Sequence, residues 1–262
     1  MKITNGEDLS WFKTYLDQKK GGNIAYVPTN YHNLNDLIDG FYRGTLITIG
    51  ARPSIGKTTL SLNLVNQLYK SHKCLVFSTE DTKEKLIEKL ISMQTTIPHK
   101  EIRTHVKERY DEIIQGMESV KSRNLEIVDI SNPSIIQVED AIKMVQPRFV
   151  VFDYFQNISI GTNDKWSSAG IYATIVQKMA SLARDHKLTF ILLSQLKRFG
   201  DDDTRPPRLS DLKETGKLEE ASHVVMLLRQ TEEGMVVDVA KNREGPKGEV
   251  TLRIMKDCGV LV

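Results

Sequence analysis

The chain has 262 residues, of which 40% are hydrophobic and 27% charged, and its formal net charge at pH 7 is +2. This length and composition are typical of a soluble globular protein with one good-sized core and a short appendage. The small net charge excludes a strong overall attraction to nucleic acid or membranes, so binding of that kind must come from local loops or from assembly.

The first predicted element is a short helix over residues 7–20, "EDLSWFKTYLDQKK", which the glycines of "GGN" end. Leu9, Phe12 and Leu16 lie near one face of this helix. A helix this short does not fold alone, so its apolar face packs either on its own domain or on a neighbouring subunit. Composition favours neither alternative.

From Thr45 onward, apolar strand-like runs alternate with amphipathic helices. This alternation predicts an α/β fold with a mainly parallel sheet that helices cover on both faces. The strand-like runs are "TLITIG", "CLVFST", "LEIVDI", "FVVFDY" and "TFILLSQ". The helical stretches are "KTTLSLNLVNQLYKSH", "TKEKLIEKLISMQ", roughly 99–121, "SIIQVEDAIKMVQ" and "AGIYATIVQKMASLARDH". In the first two helical stretches, the helical spacing predicts that the following side chains are buried: Leu60, Leu64, Leu68, Leu86, Leu90 and Met93.

The C-terminal part of the chain has a different pattern. The runs "HVVMLLRQ", "MVVDVAKNR" and "EVTLRIMKD" follow one another closely with turn signals between them, which predicts antiparallel hairpins at the sheet edge. One long polar loop, residues 199–216, precedes them. Loops of that length are usually functional or disordered.

Cysteine use and apolar run length indicate the compartment. Cys74 and Cys258 lie in apolar strand-like runs and predict buried thiols without a disulfide framework. The longest apolar runs are far too short to span a membrane, and the first residues lack the order of a signal peptide. We therefore expect a cytoplasmic protein.

The loop between the first strand and helix of the alternating region reads Ala51-x-x-x-x-Gly56-Lys57-Thr58, a Walker A pattern in which Ala51 replaces the usual first glycine. Small residues let backbone N–H groups surround phosphate oxygens, and the helix N-terminus adds its positive dipole. Lys57 would reach the β- and γ-phosphates, and Thr58 would bind Mg²⁺. The residues expected to bind ATP are Ala51, Arg52, Pro53, Ser54, Ile55, Gly56, Lys57, Thr58 and Thr59.

Acidic residues at two other strand ends complete the predicted site. Asp153 ends "FVVFD", where a second carboxylate can bind Mg²⁺ beside the loop; the alternative is a residue that merely ends its strand. Glu80 follows "LVFST" and is predicted to orient and deprotonate the attacking water. Its neighbour Asp81 is predicted to cap the next helix instead.

Six blocks of the chain then carry a family resemblance: "GARPSIGKTT", "FSTED", "FVVFDYFQ", "LLSQLKR", "LSDLKETGKLEEASHVVMLLR" and "AKNREGPKGEVTLRI". In this order they resemble the RecA-type ATPase domain of replicative DNA helicases of the DnaB type, over residues 28–262. The resemblance implies a RecA-like P-loop fold and a homo-hexameric ring that hydrolyses ATP between subunits. It also implies 5′-to-3′ translocation on single-stranded DNA.

The resemblance also implies roles for individual residues. Gln195, which ends "LLSQ", would sense the γ-phosphate. Lys241 and Arg243 would reach into the neighbouring subunit's site as a piston and an arginine finger. From spacing alone, both would be read as a solvated hairpin face.

The polar loop contains the block "LKETG", which resembles the DNA-contacting loop of these helicases. Its matching residues are Lys213, Glu214, Thr215 and Gly216, which would meet the DNA backbone without reading bases. Lys213 stands where relatives often have Arg, so its phosphate contact is less directional. Three loop arginines would add positive charge or stay solvated: Arg198, Arg205 and Arg208.

Full-length relatives carry an N-terminal collar domain that engages primase, and this domain is absent here. Residues 1–27 resemble the linker helix that follows the collar and packs on an adjacent subunit, which favours the second packing alternative given above. The chain is then either a fragment of a longer helicase or a naturally short member. For the full-length protein, we expect primase and a helicase loader as partners.

Two other classes of function compete with a helicase. One is a RecA-type oligomeric ATPase that acts as a DNA-binding or regulatory module, such as a clock-like ATPase or a recombinase, although no subunit-linking motif or strand-exchange loop is found. The other is a metabolic P-loop kinase, for which DNA would not stimulate turnover. The blocks "DLKETG" and "AKNREGPKG" argue against the kinase.

Overall fold

The computed structural model describes residues 12–13, 16–17, 20, 26–121, 124–159, 168–197, 205–212 and 216–262. The strands are β1 (Tyr26–Val27), β2 (Phe41–Tyr42), β3 (Thr45–Ala51), β4 (Cys74–Ser78), β5 (Leu125–Asp129), β6 (Phe149–Asp153), β7 (Thr189–Gln195), β8 (Val224–Gln230), β9 (Met235–Asn242), β10 (Gly248–Leu252), β11 (Ile254–Met255) and β12 (Val260–Leu261). The α-helices are α1 (His32–Ile38), α2 (Lys57–Leu68), α3 (Lys83–Thr95), α4 (His99–Thr104), α5 (Tyr110–Val120), α6 (Ile135–Val145), α7 (Ser168–Asp185) and α8 (Gly216–Ala221).

Eight strands form one sheet in the order β10-β9-β8-β3-β7-β6-β4-β5. The six strands from β8 to β5 pair in parallel, whereas β9 and β10 add antiparallel pairs on the β8 side. Both predictions, the mainly parallel sheet and the antiparallel hairpins at its C-terminal edge, are confirmed. Because β3 is central, the loop that follows it lies in the middle of the carboxyl edge of the sheet.

The sheet is buried on both faces, which explains why its strands read as continuous apolar runs. In β6, Phe149 and Val151 belong to one hydrophobic cluster, and Val150 and Phe152 belong to the other. The predicted helix faces are confirmed, because the following side chains are all buried: Leu60, Leu64, Leu68, Leu86, Leu90 and Met93. Cys74 and Cys258 are buried free thiols, also as predicted.

Two predicted elements are divided in the structure. The helical stretch over 99–121 forms α4 and α5, separated by a turn in which Arg109 makes an ion pair with Glu101 at 2.7 Å. The run "EVTLRIMKD" also divides: β10 ends at Leu252, and β11 then pairs with β12 in a separate two-stranded sheet. Arg253, at the junction, exchanges backbone hydrogen bonds with Val262 at 2.9 Å.

The described residues between 12 and 20 are helical, in agreement with the predicted N-terminal helix. Phe12 and Leu16 on its apolar face are 42% and 48% exposed. Among the described residues, no helix combines the length and the apolar character that crossing a bilayer requires.

Candidate nucleotide-binding site

The loop that connects β3 to α2 contains two residues with positive φ, Ser54 at 62° and Gly56 at 107°. Gly56 precedes the first residue of α2, and a Cβ on it would lie 2.7 Å from Cε of Met235. The φ of 107° is strained for any residue with a Cβ, which is why glycine stands here, whereas the Met235 side chain could move aside. The loop therefore turns sharply, and the first backbone N–H groups of α2 face the carboxyl edge of the sheet.

A cavity of about 380 Å³ lies over this loop. Its lining includes the loop and two further strand ends, namely Arg52, Pro53, Ser54, Gly56, Lys57, Thr58, Thr59, Glu80 and Gln195. Seven of the nine loop residues expected to bind ATP are therefore at the cavity. Ala51 and Ile55 are not, because Ala51 is fully buried as the last residue of β3 and Ile55 packs against the core.

Thr58 and Asp153 meet beside the cavity, as the sequence predicted. The Thr58 hydroxyl donates a hydrogen bond to Oδ2 of Asp153 at 2.6 Å. Asp153 is 7% exposed, and its other oxygen, Oδ1, is buried without a hydrogen-bond partner. A hydroxyl beside a carboxylate with an unpartnered oxygen is a donor set that fits Mg²⁺. Burial raises the pKa of Asp153, while the Thr58 hydroxyl and the Lys57 ammonium act in the opposite direction.

Lys57 begins α2 and lines the cavity next to these two residues. Burial lowers the pKa of Lys57, and the negative charges of Asp153 and Glu80 oppose that shift. Its Nζ lies 5.4 Å from the ring centroid of Tyr154, which contributes a cation–π contact. Sequence analysis did not identify Tyr154 as part of the site, although it follows Asp153 directly.

Glu80 lies at the cavity, but the predicted role of its neighbour Asp81 is wrong. Thr82 is the N-cap of α3, since its side chain accepts a hydrogen bond from the backbone N–H of Lys85. Asp81 instead makes an ion pair with Lys89 at 2.5 Å. Both Asp and Thr are good N-caps, and here Asp81 is engaged by Lys89, about two helical turns along α3, which leaves Thr82 as the cap.

Gln195, the last residue of β7, lines the same cavity as Glu80. Its backbone N–H donates to Oε1 of Gln156 at 3.2 Å, and its carbonyl accepts from Nε2 of Gln156 at 3.1 Å. No sequence pattern assigned a role to Gln156. The only signal was its presence in the quoted block "FVVFDYFQ".

Lys241 and Arg243 lie away from the cavity, toward the opposite end of the sheet. Lys241 donates to the carbonyl oxygen of Glu219 at 2.5 Å, and Arg243 donates to that of Glu220. Both contacts are with the last turn of α8, where Lys and Arg side chains satisfy free carbonyl groups. Arg243 also lines a separate cavity of about 570 Å³ beside Gly44, which precedes β3.

The predicted DNA-contacting residues are only partly visible. Residues 213–215, which are Lys213, Glu214 and Thr215, lie outside the described residues, as does Arg198. Gly216 is the exposed first residue of α8, and no atom lies within 4 Å of a Cβ placed on it. Arg205 makes a two-point ion pair with Asp211 at 2.8 Å, so its charge is neutralised within the loop, whereas Arg208 is exposed.

A mainly parallel sheet, a phosphate loop between its central strand and the next helix, and a threonine hydrogen-bonded to a strand-end aspartate define a RecA-like P-loop NTPase fold. The family described as "DnaB-like helicase C terminal domain" matches residues 26–260. The chain belongs to this family.

Two curated relatives illustrate the similarity. The replicative DNA helicase DnaC of Bacillus subtilis (strain 168) is 27% identical over 259 residues, 92% of this chain and 57% of that protein. The replicative DNA helicase DnaB of Geobacillus stearothermophilus is 25% identical over 261 residues, 93% of this chain and 58% of that protein. The chain thus spans somewhat more than half the length of these relatives.

Solved structures share the fold. The ATPase domain of G40P superposes with a TM-score of 0.87 at 24% identity, and the match covers 99% of both chains. A structure described as a DnaB-like replicative helicase and its interactions with primase superposes with a TM-score of 0.84 at 25% identity. That match covers 99% of this chain and 67% of the other.

Proposed function

We propose that the chain is the motor domain of a replicative DNA helicase that binds and hydrolyses ATP at the β3–α2 loop. The observation that carries this proposal is the 2.6 Å hydrogen bond between Thr58 and Asp153 beside the phosphate loop, in a chain of the DnaB family. When bound, Mg²⁺ would be held by these two residues and would neutralise charge on the phosphates.

The residues of the cavity wall have distinct roles in this proposal. Lys57 stabilises negative charge on the β- and γ-phosphates. Glu80, which is exposed at the cavity, accepts a proton from the attacking water. Gln195 donates a hydrogen bond to the γ-phosphate and loses it after hydrolysis. Backbone N–H groups of the loop bind the remaining phosphate oxygens.

Lys241 and Arg243 complete the site of a neighbouring subunit rather than their own. Lys241 on β9 pairs with Val225 on β8, and Val225 pairs with Thr48 on β3. The backbone N–H of Arg243 donates to the carbonyl of His223, and the N–H of His223 donates to the carbonyl of Leu46. Five strand residues, or roughly 16 Å, separate Leu46 from the end of β3. The side chain of Arg243, at that level, does not reach the phosphate loop of its own chain, which supports catalysis at the interfaces of a homo-hexameric ring.

In this ring, the loop with Lys213, Glu214, Thr215 and Gly216 contacts the backbone of single-stranded DNA, and hydrolysis drives 5′-to-3′ translocation. Backbone N–H groups and the Lys213 ammonium bind phosphate without reading bases, which suits translocation that does not depend on the DNA sequence. Primase is a further partner, which the description of a similar structure supports. A helicase loader and a cytoplasmic location belong to the same proposal.

The N-terminal segment, residues 1–27, is proposed to pack on the adjacent subunit. Phe12 and Leu16 lie one helical turn apart and stay 42% and 48% exposed. Burying such a pair in an interface favours assembly, by about 25 cal/mol per Å² of apolar surface.

The test is the ATPase rate measured against protein concentration, with and without single-stranded DNA, together with unwinding of a forked duplex with a 5′ tail. We expect the rate per chain to rise with concentration, because the sites are shared, and to rise further with DNA. A rate per chain that is constant and unaffected by DNA would contradict the proposal.

A further inference from the structure

The 3₁₀ turn Phe155–Asn157 lies between the strand ends that carry Glu80 and Gln195. Strand β6 pairs with β7 only as far as Phe152 and Leu192, so β7 continues for three residues without a strand partner on that side. An unpaired strand end is free to fray, yet Gln195 must keep a fixed position to respond to a phosphate.

The side chain of Gln156 takes the place of the missing strand. Its Oε1 accepts from the N–H of Gln195 at 3.2 Å, and its Nε2 donates to the carbonyl of Gln195 at 3.1 Å and to the hydroxyl of Ser194 at 3.2 Å. On the other side of β7, Ala51 pairs with Gln195. Gln195 therefore has β3 on one side and the side-chain amide of Gln156 on the other, where this amide replaces the hydrogen bonds of a neighbouring strand.

Asn157 makes the corresponding contact toward Glu80. Its Nδ2 donates to Oγ1 of Thr79 at 2.9 Å, and the same oxygen accepts from the backbone N–H of Tyr154 at 3.2 Å. Thr79 also donates its own N–H to the carbonyl of Asp153 at 2.7 Å. Because Thr79 directly precedes Glu80, these bonds fix the backbone from which Glu80 projects.

The turn itself is anchored in the core. The ring of Phe155 is fully buried and lies 5.2 Å from that of Tyr172, measured between centroids. The hydroxyl of Tyr172 donates to the carbonyl of Gln156 at 3.3 Å. The side chains of Gln156 and Asn157 thus project from a turn whose position is fixed by contacts with α7.

We infer that Gln156 and Asn157 are positioning residues that set the separation between Glu80 and Gln195. This inference rests on the roles proposed for those two residues in hydrolysis. Neither Gln156 nor Asn157 lines the cavity, so both act through the groups that they hold. Through this turn, the end of β6 at Asp153 fixes the positions of both the general base, Glu80, and the γ-phosphate sensor, Gln195.

The first measurement is amide hydrogen exchange, which does not depend on hydrolysis. Gln156→Met removes both bonds to Gln195 and the bond to Ser194 at similar side-chain size, and Gln156→Glu keeps the acceptor but loses the donor. We expect the amide of Gln195 to exchange at least about tenfold faster in Gln156→Met, while that of Leu196, bonded to Ala51, is unchanged. Exchange at Gln195 that matches the wild type would overturn the inference.

The second measurement separates binding from turnover. In both Gln156 variants, we expect the Kd for a fluorescent ATP analogue to stay within about threefold of wild type and kcat to fall at least about tenfold. Gln115→Glu, on the exposed face of α5, is the control for the added charge.

Asn157→Ala tests the contact with Thr79 and replaces the Gln156 variants if these do not fold. A folded variant with normal kcat would overturn the inference, whereas a wild-type chain without ATPase activity would instead contradict the proposed function.

Discussion

At the carboxyl ends of the parallel strands, Lys57, Thr58 and Glu80 meet around one cavity within a single chain. Toward the amino ends, the side chains of Lys241 and Arg243 donate to backbone carbonyls of α8. The first region is the proposed ATP site. The second region lies away from that cavity, and we propose that its two cations complete the site of a neighbouring subunit.

The largest effect is expected at the first region. Lys57→Ala removes the cation closest to the phosphates and should lower ATPase activity by roughly 10³-fold or more. Lys70→Ala, an exposed lysine just past α2, is the matched control and should behave like the wild type. The measurement is a steady-state ATPase assay at saturating Mg²⁺. Full activity of Lys57→Ala would contradict the assignment of the ATP site.

Arg243→Ala tests the second region. We expect ATP binding to be retained and turnover to fall by about 10³-fold, because the guanidinium stabilises charge that develops only in the transition state. Equilibrium binding and single-turnover hydrolysis separate the two quantities. Arg103→Ala, which changes an exposed arginine on α4, serves as control. If Arg243→Ala lost binding and turnover equally, the finger role would be wrong.

Asp211 tests the loop that adjoins the first region. It is 1% exposed; burial acts to raise its pKa, but hydrogen bonds from Arg205 and from the backbone of Arg208 outweigh this and lower it. Its ionised form therefore stabilises the fold above its ordinary pKa of 3.8, and this contribution is lost as the pH falls through the lowered value.

Asp211→Asn should lower the free energy of unfolding by about 2 kcal/mol, less than for a fully buried pair because Arg205 is 32% exposed. Urea unfolding between about pH 7 and 5 should show a constant difference from wild type. A difference that disappears over this range would mean that the ion pair does not stabilise the loop.

Asp153 should behave in the opposite way. Burial raises its pKa, so the ionised form is disfavoured in the folded state at neutral pH. Asp153→Asn should therefore raise the free energy of unfolding by about 1 kcal/mol at pH 7 while turnover is lost. The gain should disappear as the pH falls through the raised pKa of Asp153, because the wild-type carboxyl then becomes protonated as well. Asp140→Asn, on the exposed face of α6, is the control, and a less stable Asp153→Asn would contradict the account.

Local sequence signals predicted the fold and most of the residues that line the cavity. Strands buried on both faces read as unbroken apolar runs, and the phosphate loop has a fixed spacing between a strand and a helix. The position of Asp153 was predictable because the carboxyl ends of parallel strands lie at one edge of the sheet. A carboxylate at such an end therefore lies at the same edge as the phosphate loop. These features depend on residues near one another in the sequence.

Other features depend on contacts between distant residues. The cap of α3 is Thr82 rather than Asp81, since Asp81 pairs with Lys89. Gln156 and Gln195 are 39 positions apart, and only the paired strands bring them together. Spacing alone gave no reason to assign Lys241 and Arg243 to a neighbouring subunit, and their level in the sheet is what supports that assignment.

The most direct test of the shared site is an equimolar mixture of Arg243→Ala and Glu80→Gln chains, each inactive alone. A subunit with intact Glu80 can then be completed by the Arg243 of a Glu80→Gln neighbour, which random mixing allows at about a quarter of the sites. We predict that ATPase activity recovers to a measurable fraction of wild type below that limit. Activity equal to the sum of the two separate variants, at every mixing ratio, would contradict a site completed by the adjacent subunit.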